Sequence, residues 1–64
     1  DIDGALTSFS EAITTDKRMA EAYYNRGILL QRKGETLQAT SDFSMAGQLG
    51  LYQAYAMLKN FRNQ

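Results

Sequence analysis

Apolar residues recur along this chain at intervals of three and four, the spacing that places side chains on one face of an α-helix. The first segment carries such a stripe, formed by Ile2, Leu6, Phe9 and Ile13. In the next segment, Tyr23, Gly27 and Leu30 fall within about 60° of one another on a helical wheel. Both segments are therefore predicted to be helices that bury one face.

Polar residues and glycines mark where these helices begin and end. Asp16 is a suitable N-cap for the second helix, because its carboxylate can accept hydrogen bonds from free backbone N–H groups. Arg32 and Lys33 lie in the last turn of that helix, where cations suit the dipole, and Gly34 can adopt the left-handed conformation that ends it. The sequence thus predicts an all-α chain of four short helices, over residues 2–14, 18–33, 36–48 and 52–63.

The chain repeats itself with a period of 34 residues. A shift by this period matches four of the eight residues 5–12 to residues 39–46, at Ala5/Ala39, Phe9/Phe43, Ser10/Ser44 and Ala12/Ala46. Random matching at average composition would give less than about one. The same shift places Ala20 on Ala54 and Ala22 on Ala56. The first helix is therefore predicted to resemble the third, and the second helix the fourth.

The repeating unit resembles the tetratricopeptide repeat (TPR) family. Gly27 is in register with the family pattern, Gly34 fills the turn, Tyr23 stands in place of the tryptophan and Leu30 in place of the tyrosine. In the third helix, Ala39, Phe43 and Ala46 match the pattern. Three residues depart from it, namely Arg26 for leucine, Gly47 where a large aliphatic residue is common, and Leu51 for proline. The resemblance covers nearly the whole chain.

The resemblance implies a TPR-like helical repeat, an α–α superhelix in which short antiparallel helices A and B alternate. Residues 1–15 correspond to helix B of a preceding repeat, residues 18–50 to one full repeat, and residues 52–63 to a following helix A or a capping helix. Residues 1–64 then form a single unit. We expect Gly27 to be small because helices A and B approach each other there, and Phe43 to fill the space between them.

In this family the A helices line a concave face that binds a peptide or a segment of a partner protein. The residues of this sequence that match that face are Glu21, Tyr24, Asn25, Ile28, Gln31 and Arg32 in the second helix, and Tyr55, Leu58, Lys59 and Arg62 in the fourth. Aromatic and arginine side chains often contribute most of the binding energy of such surfaces. The alternative is that Tyr24 and Ile28 only pack against a neighbouring helix.

Asn25 has two possible roles. Some family members hold the C-terminal carboxylate of a partner in a basic clamp that includes an asparagine at this position. Lys59 matches one basic residue of such a clamp, but Tyr55 stands where another lysine is needed. The simpler role for Asn25 is a side-chain hydrogen bond to a bound peptide or to a neighbouring backbone.

The first helix lacks the helix A that would cover its apolar stripe. Repeats bury their faces by stacking, and about three are normally needed for stability. Either the chain is a piece of a longer repeat protein, or a second copy covers this open face in a homo-oligomer. At the other end, Phe61 stands where the shift places Gly27 and would obstruct a following helix B. The fourth helix is then either a cap, with its polar residues facing water, or a cut repeat; those residues are Asn60, Asn63 and Gln64.

The composition argues against several classes of protein. The 64 residues contain seven basic and seven acidic side chains, so the chain lacks the positive field that nucleic acids require. No apolar run approaches the roughly 20 residues of a membrane span. Cysteine and histidine are absent, which removes disulfides and the usual zinc ligands, so no metal or other cofactor is expected. The missing cysteines fit a reducing or an oxidising compartment equally well.

Catalysis is not expected either, because the usual general base and thiol nucleophile are missing. Ser8, Ser10, Ser41 and Ser44 are interpreted as helix-surface serines. The carboxylate pairs are interpreted as solvated acids near helix starts, namely Asp1 with Asp3 and Glu35 with Asp42. The sequence thus predicts a protein-protein interaction scaffold. A structural spacer or self-association element of a longer repeat protein is the alternative, and an accessory piece of a larger enzyme is a third reading.

Overall fold

The computed structural model describes the backbone of residues 1–62 and the side chains of residues 1–60. Within these residues the chain forms four α-helices and no strand: α1 (Ile2–Thr15), α2 (Ala20–Lys33), α3 (Thr36–Gln48) and α4 (Gln53–Arg62). The prediction of an all-α chain is confirmed. The helix α2 packs against both α1 and α3, and α4 packs against α3. No helix in this part of the chain is long and apolar enough to cross a lipid bilayer.

The connection between α2 and α3 forms as predicted. Gly34 has a φ of +90°, in the left-handed region that glycine adopts most readily. Its N–H donates to the carbonyl of Gln31 at 3.1 Å, and the N–H of Glu35 donates to the carbonyl of Leu30 at 2.8 Å. These bonds satisfy carbonyl groups that the helix end would otherwise leave free. The chain therefore reverses within two residues, and α3 folds back along α2.

The predicted N-cap at Asp16 is wrong. Asp16 follows the last residue of α1 in an extended conformation (φ −140°, ψ 101°). Its carboxylate accepts a hydrogen bond from the backbone N–H of Arg18 at 3.0 Å, and its carbonyl accepts one from the N–H of Met19 at 3.2 Å. Asp16 thus stabilises the turn between two helices, and α2 begins only at Ala20. The other predicted limits agree within one residue, except the end at residue 63, which lies outside the described residues.

The core lies between α2 and α3 and is centred on Phe43, whose side chain is fully buried (0% exposed). Gly27 faces this ring so closely that a Cβ built on the glycine would lie 2.9 Å from Cε1 of Phe43. Ala39 and Ala46, one turn away on either side of Phe43, are also fully buried. The expected close approach at Gly27 is confirmed. Gly27 and Phe43 lie at similar distances along the chain from Gly34, so α3 runs antiparallel to α2.

The substitution Gly27→Ala is expected to lower the free energy of unfolding by about 1–3 kcal/mol, the usual cost of overfilling a packed core. The new Cβ would lie 2.9–3.1 Å from three atoms of the enclosed Phe43 ring. This strain opposes the roughly 1 kcal/mol by which alanine favours a helix over glycine. Urea denaturation followed by circular dichroism measures the difference.

A matched control is Gly4→Ala on α1. Gly4 is exposed, and the atoms that an added Cβ would meet belong to the mobile end of the exposed Asp1 side chain. We expect this variant to be as stable as the parent or slightly more so, because only helix propensity changes. If Gly27→Ala behaved in the same way as Gly4→Ala, the close approach of α2 to α3 would be absent.

The helix α4 does not repeat the packing of α2, although the 34-residue shift aligns the two. Ala22 of α2 is buried, whereas its equivalent in α4, Ala56, is exposed. Ala54 is instead fully buried, while its equivalent Ala20 is only half-buried. The fourth helix therefore buries a different face from the second.

A smaller side chain on α3 and a larger one on α4 account for this difference in packing. The shift aligns Ile13 of α1 with Gly47 of α3, and Glu21 of α2 with Tyr55 of α4. At this position α1 has the buried side chain of Ile13, whereas α3 has Gly47. The ring of Tyr55 covers this glycine. A Cβ on Gly47 would lie within 2.9 Å of three atoms of that ring. The volume missing from α3 is thus supplied by α4.

Candidate interaction surface on α2

The helix α2 leaves one side uncovered by the core, and the residues predicted there to bind a partner lie on it. Four of them are exposed, namely Glu21, Asn25, Gln31 and Arg32. Ile28 is half-buried between them and packs against the core around Phe43. We call these five residues the α2 stripe. Among the described residues, no side chain forms a hydrogen bond or an ion pair with its four polar members. Their donors and acceptors therefore face solvent.

Tyr24 lies at the edge of the core. Its ring is half-buried and meets the ring of Phe43 edge-on, with centroids 5.7 Å apart and planes at 65°. Such a contact contributes about 0.5–1.5 kcal/mol beyond the burial of area. Removal of the Tyr24 ring would disturb the core, so this residue is unsuited to a test that must separate binding from folding.

On α4, the predicted binding residue Tyr55 lies against the protein itself. Its ring covers Gly47 and stacks on the ring of Tyr52, with centroids 6.5 Å apart and planes at 14°. Tyr55 keeps 44% of its surface exposed and Tyr52 keeps 73%. The stacked pair is an exposed aromatic surface whose first ring, Tyr52, was not predicted. The departure from the family pattern at Gly47 was the signal that a large side chain had to cover that position.

The remaining predicted residues of α4 fall into two groups. Lys59 is exposed, and Leu58 is half-buried against the core cluster. The side chain of Arg62 lies outside the described residues, as does the side chain of Phe61, which was predicted to obstruct a following helix. The α2 stripe is therefore the part of the predicted surface that the structure describes as a group of neighbouring side chains.

A partly buried ion pair joins α2 to α3, and the sequence analysis missed it. Nε of Arg26 donates to Oδ2 of Asp42 at 2.7 Å, and Nη2 donates to Oδ1 at 2.8 Å. Nη1 donates to Oγ of Ser10 on α1 at 3.2 Å, and the guanidinium lies 5.7 Å from the centre of the Tyr23 ring. The hydrogen bonds to Asp42 raise the pKa of Arg26, so the guanidinium stays charged. One side chain thus links three helices.

The interpretation of Asp42 as a solvated acid near a helix start is wrong. Asp42 lies in the middle of α3, is only 5% exposed and is paired with Arg26 at both oxygens. Ser10, interpreted as a surface serine, is half-buried and accepts a hydrogen bond from the same guanidinium. The sequence feature that could have revealed this pair was Arg26, because a charge at a position where the family pattern has an apolar residue needs a partner of opposite charge.

A cleft of about 580 Å3 opens beside this ion pair, between α1, α2 and α3. Three of the four charged residues on its walls, Arg26, Asp42 and Lys33, have partners. Arg26 is held by Asp42, and Nζ of Lys33 lies 2.9 Å from Oδ1 of Asp3, a bond that raises the pKa of Lys33. The described residues contain no group of three or more carboxylates that could hold a metal ion. Glu35 also lines the cleft, and no ion pair or side-chain hydrogen bond holds its carboxylate among the described residues.

The contacts described above distinguish three kinds of residue among those predicted to bind a partner. Tyr24 and Tyr55 are held by contacts within the chain, Ile28 contributes to the core and to the surface, and the polar residues of the α2 stripe are free of such contacts. No family model matches this chain, and no curated protein or solved structure matches it.

Proposed function

We propose that this chain is part of a tetratricopeptide-type helical repeat and acts as a scaffold for protein-protein interaction. Three observations support the repeat. The sequence has a 34-residue period, the chain folds into four short helices, and Gly27 lies under the ring of Phe43 between antiparallel helices. In this proposal the fourth helix is a modified copy of α2 that buries a different face.

In this proposal the α2 stripe binds an extended or helical segment of a partner protein. The observation that carries it is the division of α2 into two sides. Gly27 and Leu30 are buried, while Asn25 and Arg32 are exposed and unpaired. Exposed polar side chains are usual on the solvent side of a helix, so the proposal rests on their grouping around the half-buried Ile28.

The chemistry of the stripe suits a peptide backbone with mixed side chains. Arg32 can donate two parallel hydrogen bonds to a carboxylate. Asn25 can donate to a backbone carbonyl and accept from a backbone N–H. Glu21 accepts only, and Ile28 offers apolar contact to a neighbouring side chain. A clamp for a C-terminal carboxylate is not part of the proposal, because the place of its second basic residue is held by Tyr55, whose ring covers Gly47.

Peptide selection followed by affinity measurement tests this role. A random peptide library is selected on the parent chain, and the peptides obtained are measured by fluorescence polarisation. We expect the double variant Asn25→Ala/Arg32→Glu to bind them at least about tenfold more weakly, since each charge-assisted hydrogen bond contributes about 1.5–3 kcal/mol. Both residues are exposed, so circular dichroism should show an unchanged helix content.

The matched control is Lys33→Glu. It makes the same charge change one residue along, on the side of α2 that faces Asp3 of α1. Binding by this variant should remain within about twofold of the parent, because an exposed ion pair contributes little. Equal weakening by the control and by the stripe variant, or no weakening by either, would refute the role of the α2 stripe.

The second candidate function is a structural spacer or self-association element of a longer repeat protein. It is favoured by α1, where Phe9 is only half-buried while its equivalent in α3, Phe43, is fully buried. The apolar face of α1 therefore has room for another helix.

A further inference from the structure

An exposed row of side chains follows one side of α4. Tyr52, which immediately precedes the helix, stacks on Tyr55, and both rings are exposed. Lys59 is also exposed and follows Tyr55 by four residues, a spacing that places the two Cβ atoms about 5–6 Å apart on the same side of a helix. We call Tyr52, Tyr55 and Lys59 the α4 stripe.

The positions of the α4 stripe stay exposed on a helix that has neighbours on both sides. The 34-residue shift aligns the stripe with Arg18, Glu21 and Asn25, and all three are exposed. Glu21 and Asn25 lie on α2, which packs against both α1 and α3. A further helix packed on α4 in the same way as α3 packs on α2 would therefore leave the α4 stripe open.

The rings of the α4 stripe form a rigid apolar face. The ring of Tyr55 is fixed against Gly47, and the ring of Tyr52 lies on it with planes at 14°. Tyr52 keeps 73% of its surface exposed, so it contributes little to the core. Because the pair is already ordered, a partner that stacks on it loses little side-chain entropy. Such a face suits an aromatic side chain.

The charge of the α4 stripe indicates the second requirement of a partner. All seven acidic residues of the sequence lie at or before Asp42, whereas two of the seven basic residues, Lys59 and Arg62, follow it. Among the residues that the structure describes, none forms an ion pair or a side-chain hydrogen bond with Lys59. The stripe thus offers an unpaired ammonium group one helical turn from an aromatic face, and a carboxylate complements it.

The spacing along α4 indicates how the two groups of the partner are arranged. In an extended peptide, alternate side chains face the same side and are about 6.6 Å apart. This distance is close to the one-turn separation of Tyr55 and Lys59 on α4. An aromatic residue and an acidic residue separated by one residue can therefore contact the rings and the ammonium group together.

We propose that the α4 stripe binds an extended, acidic segment of a partner protein in which an aromatic residue and a carboxylate stand two positions apart. The aromatic ring of the partner stacks on Tyr52, and its carboxylate accepts a charge-assisted hydrogen bond from Nζ of Lys59. This inference goes beyond the role of the α2 stripe, because it uses other residues on another helix.

NMR titration of the 15N-labelled chain with two synthetic peptides tests the proposal. In the first peptide a phenylalanine has a glutamate two positions away on each side, so that both binding directions are covered, and the other residues are serine and glycine. In the second, lysine replaces both glutamates. At low ionic strength we expect the first peptide to shift the amide signals of Tyr52, Tyr55 and Lys59 with a Kd on the order of 0.1–1 mM, and the second to bind at least about fivefold more weakly.

Two variants locate the contacts. Lys59→Glu should reverse the preference, so that the lysine peptide binds more tightly than the glutamate peptide. Tyr52→Ala should weaken the binding of the glutamate peptide about fivefold, the loss expected for one aromatic contact. The matched controls are Lys17→Glu and Leu37→Ala, which change an exposed cation and an exposed apolar residue away from α4 and should stay within about twofold of the parent.

All four substitutions replace exposed side chains, and the amide spectrum of each variant verifies that it is folded. Equal binding of the two peptides by the parent would overturn the proposal, as would a folded Lys59→Glu variant whose preference is unchanged. Signal shifts confined to the α2 stripe would also overturn it, while supporting the role proposed for that other surface.

Discussion

Phe43→Ala is expected to leave the chain largely unfolded at 25 °C. Phe43 is fully buried and packs on Gly27, Tyr24 and the small residues of its own helix. Truncation of such a ring costs about 3–5 kcal/mol. That is comparable to the total free energy of unfolding that a single core of this size supplies. Far-UV circular dichroism in the absence of denaturant should therefore show the loss of most of the helical signal.

The control for this prediction is Leu37→Ala on the same helix. Leu37 is 87% exposed, so its truncation removes an apolar side chain of similar chemistry without opening a cavity. We expect a change of less than about 0.5 kcal/mol. A Phe43→Ala variant that melted like Leu37→Ala would show that the core is centred elsewhere.

Arg26→Leu is expected to cost about 3 kcal/mol, although leucine matches the family pattern at this position. The substitution removes both hydrogen bonds to Asp42 and leaves that carboxylate, which is 5% exposed, without a cation. Loss of one partner of a buried ion pair typically costs about 3–5 kcal/mol, and we place this case at the lower end because Arg26 itself is partly exposed. Urea denaturation gives the value.

The double variant Arg26→Leu/Asp42→Ala should recover most of that loss. With both charges gone, no ion is left buried without a partner, and the leucine can pack on Leu6 or Leu30, which line the same cleft. We expect stability within about 1 kcal/mol of the parent, so that the two single changes are strongly non-additive. Additive losses would mean that Arg26 and Asp42 stabilise the fold independently of each other.

The sequence predicts the helices and the centre of the core because both depend on local pattern and on the repeat. The end of α2 at Gly34 was predictable, because a glycine that follows a helical turn with Arg32 and Lys33 is typical of a helix C-terminus. The contact between Gly27 and Phe43 was predictable from the positions of both residues in the 34-residue pattern, in which Phe9 stands one period before Phe43. In each case, residues close in sequence, or one period apart, carry the information.

Contacts that depend on distant pairs could not be read from the sequence in the same way. The charge at Arg26 was visible, but its partner lies 16 residues away among several acids of similar appearance. The ring of Tyr55 on α4 occupies the space that the missing side chain of Gly47 leaves on α3, so the contact depends on two helices at once. Asp16 was assigned to the wrong helix, because an acid can cap a helix or close a turn, and the position of Arg18 decides between the two.

Part of the predicted binding surface could be placed and part could not. Asn25 and Arg32 are exposed, as a helical wheel predicts, and they are unpaired. Exposure on an amphipathic helix follows from the periodicity of its apolar residues. Tyr24 has the right spacing but meets Phe43, because an aromatic side chain is long enough to reach from the stripe into the core.

The most direct test of the account is the proton NMR contact between Gly27 and Phe43. The proposed fold requires the α-protons of Gly27 to lie over the Phe43 ring, since a Cβ at that glycine would be 2.9 Å from Cε1. We therefore predict strong nuclear Overhauser effects between these α-protons and the ring protons, together with a large ring-current shift of the glycine signal. A folded, helical chain in which these effects are absent would contradict the packing of α2 on α3, and with it the repeat and the surfaces inferred from it.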